Sequence, residues 1–104
     1  MARFDVYPHP EAGLRAATPF LMDVQNNFID RVGSRMVIPL RRADAFGPCM
    51  RDLNPQFEIS GKRVVLDTAA MAAFPAAALK KPVTSLAANQ TDIVAALDTL
   101  FGSY

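Results

Sequence analysis

Arg35–Leu40 reads RMVIPL and is the strongest strand signal in the chain. Its proline narrows where that strand can lie. Proline has no N–H to give a ladder, so Pro39 belongs at an edge, at a bulge or at the strand's last residue. The other strand candidates are short and bounded by turn residues. In Ala2–Tyr7, Phe4 and Val6 alternate with Arg3 and Asp5. Phe20–Gln25 is largely apolar, as a strand buried on both faces should be. Phe57, Ile59 and Val64-Val65-Leu66 flank Ser60-Gly61 in a hairpin pattern. Met71–Leu79 sets Phe74-Pro75 among alanines and reads as a short, kinked strand with close backbone packing. Arg41–Arg51 is interrupted by Gly47-Pro48 and reads as a loop with one helical turn. Helical spacing is clear in the tail, where Ile93, Ala96, Leu97, Leu100 and Phe101 recur at i, i+3, i+4, i+7 and i+8. Asn89 or Thr91 can cap that helix, Asp92 suits its positive end, and Gly102 can take the left-handed conformation that stops it. Many short strands followed by one helix predict a mainly β fold: a small antiparallel barrel with a C-terminal α-helix.

The chain has 104 residues, 51% of them hydrophobic, which predicts one folded domain over 1–104 rather than a disordered segment. Eleven Lys+Arg against ten Asp+Glu leave a net charge of +1. That balance argues against a protein that grips nucleic acid by bulk phosphate neutralisation. One Cys and one His exclude a disulfide framework and a Cys/His zinc cage. No GxGxxG or GxxxxGK[ST] loop offers a phosphate cradle. The aspartates Asp23, Asp30, Asp67 and Asp92 fall on different elements, so no carboxylate dyad is suggested. His9, set between prolines, reads as a surface-loop histidine rather than a catalytic one. Cys49 reads as a small buried hydrophobe. Arg35, Arg41 and Arg42 bracket the RMVIPL strand and read as a solvated rim. No apolar run is long enough to span a membrane, and MARFDVY lacks a signal-peptide core. The expectation is a cytoplasmic, soluble domain with no metal and no cofactor.

Two features point toward binding. Phe28-Ile29 puts two large apolar groups where a polar turn is expected, so the pair is either a corner of the core or an interface. The chain then ends Leu100-Phe101-Gly102-Ser103-Tyr104, with two aromatics at or beyond the last helical turn. Leu100 reads as core. Tyr104 lies past a Gly-Ser step and should be partly exposed, as binding anchors are.

These segments carry a resemblance. Phe4-Asp5-Val6-Tyr7, Asp23-Val24-Gln25 with Ile29-Asp30, and Arg35-Met36-Val37-Ile38-Pro39-Leu40 occur in the order and spacing of the CcdB toxins. So do Pro55, Ile59 and Gly61, then Met71-Ala72 with Pro75, then Asp92-Ile93 leading into Leu100-Phe101. The sequence thus resembles the CcdB family, gyrase poisons of type II toxin–antitoxin modules, over nearly its whole length. The resemblance implies an SH3-like barrel of the CcdB/MazF kind, with antiparallel sheets and a C-terminal helix. It implies a homodimer whose C-terminal helices flank the two-fold axis and together enter the DNA gyrase A subunit. It implies a protein that is not an enzyme and that traps gyrase with its DNA cleaved. Carried over by position, the gyrase-binding residues are Phe28, Ile29, Asp98, Phe101, Gly102, Ser103 and Tyr104. A CcdA-like antitoxin would neutralise the dimer, facing the Pro8–Arg15 and Arg41–Arg51 loops, and the pair would repress transcription of its operon. DNA is then contacted only through the antitoxin.

The departure is at the end of the chain. The best-known members finish in Trp-Gly-Ile, whereas this chain has no Trp. In the ungapped register, which the helical stripe favours, Gly102 stands at the Trp position; a one-residue shift would instead set Phe101-Gly102 against Trp-Gly. That end keeps a non-toxic or retargeted homologue in view, and the shared barrel keeps a MazF-like endoribonuclease, for which Arg35, Arg41 and Asp23 are the available group.

Overall fold

The computed structural model describes residues 1–29 and 31–102. Ser103 and Tyr104, two of the expected gyrase-facing residues, lie outside the described residues, as does Asp30 of the resemblance. The elements run β1 (Asp5–Pro8), β2 (Phe20–Asp23), β3 (Ser34–Arg42), α1 (Ala43–Phe46), β4 (Gln56–Ile59), β5 (Lys62–Leu66), β6 (Ala72–Pro75), β7 (Thr84–Ser85) and α2 (Gln90–Phe101). Every strand pairing is antiparallel, in the order β4-β5-β3-β2-β1-β7, with β6 on β3. The result is a nearly closed small barrel with a C-terminal helix, the expected fold class.

The RMVIPL strand is the organiser. β3 pairs β2 along one edge, and on the other edge it pairs β5 through Leu40–Arg42 and β6 through Ser34–Val37. Pro39 is thus inside a nine-residue strand, not at its end or on an edge. It sits between the β5 and β6 pairings, and its carbonyl accepts the Asp67 N–H at 3.0 Å. Opposite Leu21 it occupies a pair whose N–H groups turn away from β2, so the missing donor leaves the β2 ladder whole. The proline marks where the strand changes partners.

Period-two alternation sorts the side chains to two buried faces. Val6, Phe20, Met22, Ile38, Leu40, Phe57, Ile59, Val64 and Leu66 join one cluster, which α2 covers with Ile93 and Ala96. Tyr7, Leu21 and Val37 point the other way, into a smaller cluster with Leu79 and Phe74. The first strand starts later than its alternation suggests. Phe4 has φ +75°, and Asp5 N–H bonds back to Ala2, so the chain is turning there. Ser60 and Gly61, both at positive φ, form the two-residue β4–β5 turn as expected. Gly102 closes α2 at φ 67°, ψ 47°, also as expected, but Asn89 makes no side-chain cap bond. The apolar stripe of α2 fades toward its end: Leu100 is half-buried and Phe101 is 70% exposed.

Candidate partner-binding surface

The β2–β3 loop carries the most exposed large apolar side chain among the described residues, Phe28, at 94%. Ile29 beside it is about half-exposed. Local polar groups shape this loop. Phe28 N–H donates to Asn26 Oδ1 at 2.9 Å, and Ile29 N–H to the Asn26 carbonyl at 3.0 Å, which folds a tight turn. Asn27 Oδ1 accepts the Arg3 N–H at 2.7 Å, tying the turn to the start of the chain. Phe28 is therefore no corner of the core; it stands off the fold.

A shallow groove under Phe28 is lined by Arg3, Asn26, Asn27, Ala87 and Gln90, so the loop abuts the start of α2. Ala87 and Gln90 also line the next hollow, which runs along the exposed side of α2 past Val94 and Ala95 to Asp98. Phe101 follows Asp98 by nearly one turn, and the exposed Gly102 comes next. Gln90 and Phe101 are about 16 Å apart along the axis. The structure thus brings Asp98, Phe101 and Gly102 together at one end of α2. It sets Phe28 and Ile29 by the other end, joined to them by a strip of small and polar side chains.

Beneath the loop lies a pair that sequence reasoning misplaced. Asp23 and Arg35 are 0% and 2% exposed, and Arg35 Nε donates to Asp23 Oδ2 at 2.7 Å. Arg35 is therefore buried, not part of a solvated rim. Both residues fall on the odd-numbered face of β2 and β3, the side filled by Tyr7, Leu21 and Val37. The signal was present: a carboxylate within a run buried on both faces needs a cation on the neighbouring strand. Burial raises the Tyr7 phenol above its ordinary range, with the Asp5 and Asp23 carboxylates adding to the effect.

Other expectations also change. Arg41 donates to Asp67 Oδ2 at 2.8 Å and to Thr18 Oγ1 at 2.7 Å, away from the Asp23–Arg35 pair. The Arg35, Arg41 and Asp23 group that a ribonuclease reading needs is therefore not assembled. His9 is buried at 5% exposure rather than lying on the surface. Its Nδ1 accepts the Glu11 N–H at 3.0 Å, and its ring meets Phe74 edge-on at 5.9 Å. Burial is the main reason its imidazole is held below the ordinary histidine range. Cys49 is exposed, not a buried hydrophobe, because the segment after α1 leaves the sheet; Gln56 Nε2 approaches its sulfur at 3.5 Å.

A second groove joins the two loops expected to face an antitoxin. It is lined by Arg15 and Ala16 on one side, by Arg42, Ala43 and Asp44 on another, and by Lys62 and Arg63 of the hairpin. Among the described residues no group of three or more His, Cys, Asp or Glu could hold a metal ion, and no helix is long and apolar enough to cross a membrane. The family model described as CcdB protein matches residues 3–102. With nearly its whole length matched, this chain belongs to the CcdB family, the gyrase-directed toxins of toxin–antitoxin modules.

Proposed function

We propose that the protein is a homodimeric toxin that binds the DNA gyrase A subunit and traps the enzyme on cleaved DNA. It makes and breaks no covalent bond itself, and it acts in the cytoplasm as a single domain over 1–104. Phe28, Ile29, Asp98, Phe101, Gly102, Ser103 and Tyr104 form the gyrase-facing surface. The observation that carries this is Phe28, a phenylalanine left 94% exposed on a loop braced by hydrogen bonds. A ring that exposed adds little to the protomer's own stability and is free to seat in a partner's pocket, where aromatics carry binding energy. Phe101, 70% exposed at the far end of α2, is the second anchor. Pairing two protomers about a two-fold axis would present both sets to a symmetric target.

A CcdA-like antitoxin neutralises the dimer, and the complex represses its own operon, so DNA is met only through the antitoxin. In support, the Pro8–Arg15 and Arg41–Arg51 segments share one groove where Arg15, Arg42, Lys62 and Arg63 meet. A segment that folds on binding can follow such a groove. One observation favours a second reading, a retargeted homologue: the chain has no Trp, and an exposed left-handed glycine, Gly102, holds the position of the family's stacking ring.

Purified protein incubated with gyrase, ATP and supercoiled DNA tests the proposal, with RNA in parallel. Linear DNA released on protein denaturation is expected. RNA fragments would support a ribonuclease, and neither product would support the non-toxic or retargeted homologue.

A further inference from the structure

The buried pair lies at the root of the loop that displays Phe28. Asp23 is the last residue of β2 and Arg35 the second of β3, so their bond closes the hairpin beneath residues 24–33. The pair also reaches into the loop. Asp23 Oδ1 accepts the Gln25 N–H at 2.9 Å. The remaining guanidinium nitrogens of Arg35 approach the Ile29 carbonyl at 3.4 Å and the Gln25 carbonyl at 3.5 Å. Gln25 then works from both ends of its amide: Nε2 donates to the Ile29 carbonyl at 2.6 Å, and Oε1 accepts the Met36 N–H at 2.9 Å. Three side chains thus hold the backbone on both sides of Phe28. The phenylalanine itself, 94% exposed, is scarcely held by its own packing.

We infer that Asp23, Arg35 and Gln25 are positioning residues that pre-organise the Phe28–Ile29 loop for its partner. The inference rests on the reading of Phe28 as gyrase-facing, but loop order can be measured without gyrase. An exposed hydrophobic side chain gains nothing from holding still, so its backbone must be held by polar bonds. A partner meeting an ordered loop avoids the ordering cost. If the competent conformation falls to about one-tenth of the population, affinity falls about tenfold.

Two variants weaken the network in different ways. Gln25→Glu keeps the acceptor for Met36 N–H and sets a carboxylate against the Ile29 carbonyl. Gln25 is only half-buried, so this variant should fold. Arg35→Lys keeps the ion pair with Asp23 and removes the planar fork to the loop carbonyls. Backbone amide order parameters from nitrogen-15 relaxation are measured for the free proteins, and gyrase A subunit affinity by titration. In the native protein the Phe28 and Ile29 amides should be as rigid as β3, about 0.85; in Gln25→Glu they should fall below about 0.6 while α2 is unchanged. Gyrase affinity should weaken about tenfold. Ordered loop amides in both variants, a native loop already mobile, or a loosened loop with unchanged affinity where Phe28→Ala does weaken binding would each overturn the inference. Phe28→Ala is the control: if it too leaves gyrase binding unchanged, the gyrase reading of the loop fails, and the order parameters still decide whether the network positions it.

Discussion

Phe28→Ala separates a binding anchor from a structural residue. A phenylalanine carries on the order of 200 Å² of surface. Being 94% exposed, Phe28 leaves only about 10 Å² of that inside the fold. At about 25 cal/mol per Å², truncation should cost the protomer about 0.3 kcal/mol. Seated in a partner's pocket, the same ring would remove nearly all of its area from water. Aromatic anchors of this kind lose about 2–4 kcal/mol on truncation, or roughly 30- to 1,000-fold in Kd. The urea midpoint should therefore be indistinguishable from the native protein's, while titration against the gyrase A subunit shows at least about a 30-fold loss. Ile93→Ala is the opposite control: Ile93 is fully buried, and its loss should cost about 2–5 kcal/mol of stability. A Phe28→Ala protein that binds gyrase normally, or that loses more than about 1 kcal/mol of stability, would refute the reasoning.

The buried ion pair should show strong coupling. Arg35→Met alone leaves the fully buried Asp23 carboxylate without its cation and should cost about 3–5 kcal/mol by urea denaturation, whereas Asp23→Leu combined with Arg35→Met should cost clearly less. His9 should make stability depend on pH. Its folded-state imidazole is held below the ordinary value of about 6.5, so the unfolded chain binds more protons below that value. The contribution is full above about pH 6.5 and declines as pH falls through it; urea midpoints at about pH 7.5 and pH 5.5 should show that decline, and His9→Gln should reduce it. Gly102→Ala should cost about 1 kcal/mol of stability through backbone strain alone, read as a lower melting temperature. Its φ is 67°, and an added Cβ would meet nothing within 4 Å.

The elements that were legible in the sequence carry local signals strong enough to survive in any surroundings. RMVIPL is a strand because its side chains suit one, and Ser60-Gly61 turns because glycine tolerates a positive φ. The helix over Gln90–Phe101 follows from spacing and stops at a glycine. Besides Arg35, three residues are not legible locally because their surroundings come from distant parts of the chain. His9 looked like a loop histidine, but Phe74 packs against it from β6. Cys49 has the composition of a core residue and lies in a segment that no strand covers. Pro39 looked like an edge proline because nothing local shows that one strand serves two partners in turn.

By itself the sequence determined the strand and helix periods, the turn positions and the apolar excess at Phe28, since these depend on residues close together in the chain. The tertiary structure alone decided which side of each strand is dry. A charge such as Arg35 looks solvent-facing until an acid twelve positions earlier comes within 2.7 Å of it, and only then can it sit in the interior. Likewise, Phe28 is apolar in any surroundings, but its exposure depends on which segments pack nearby, and none among the described residues covers it.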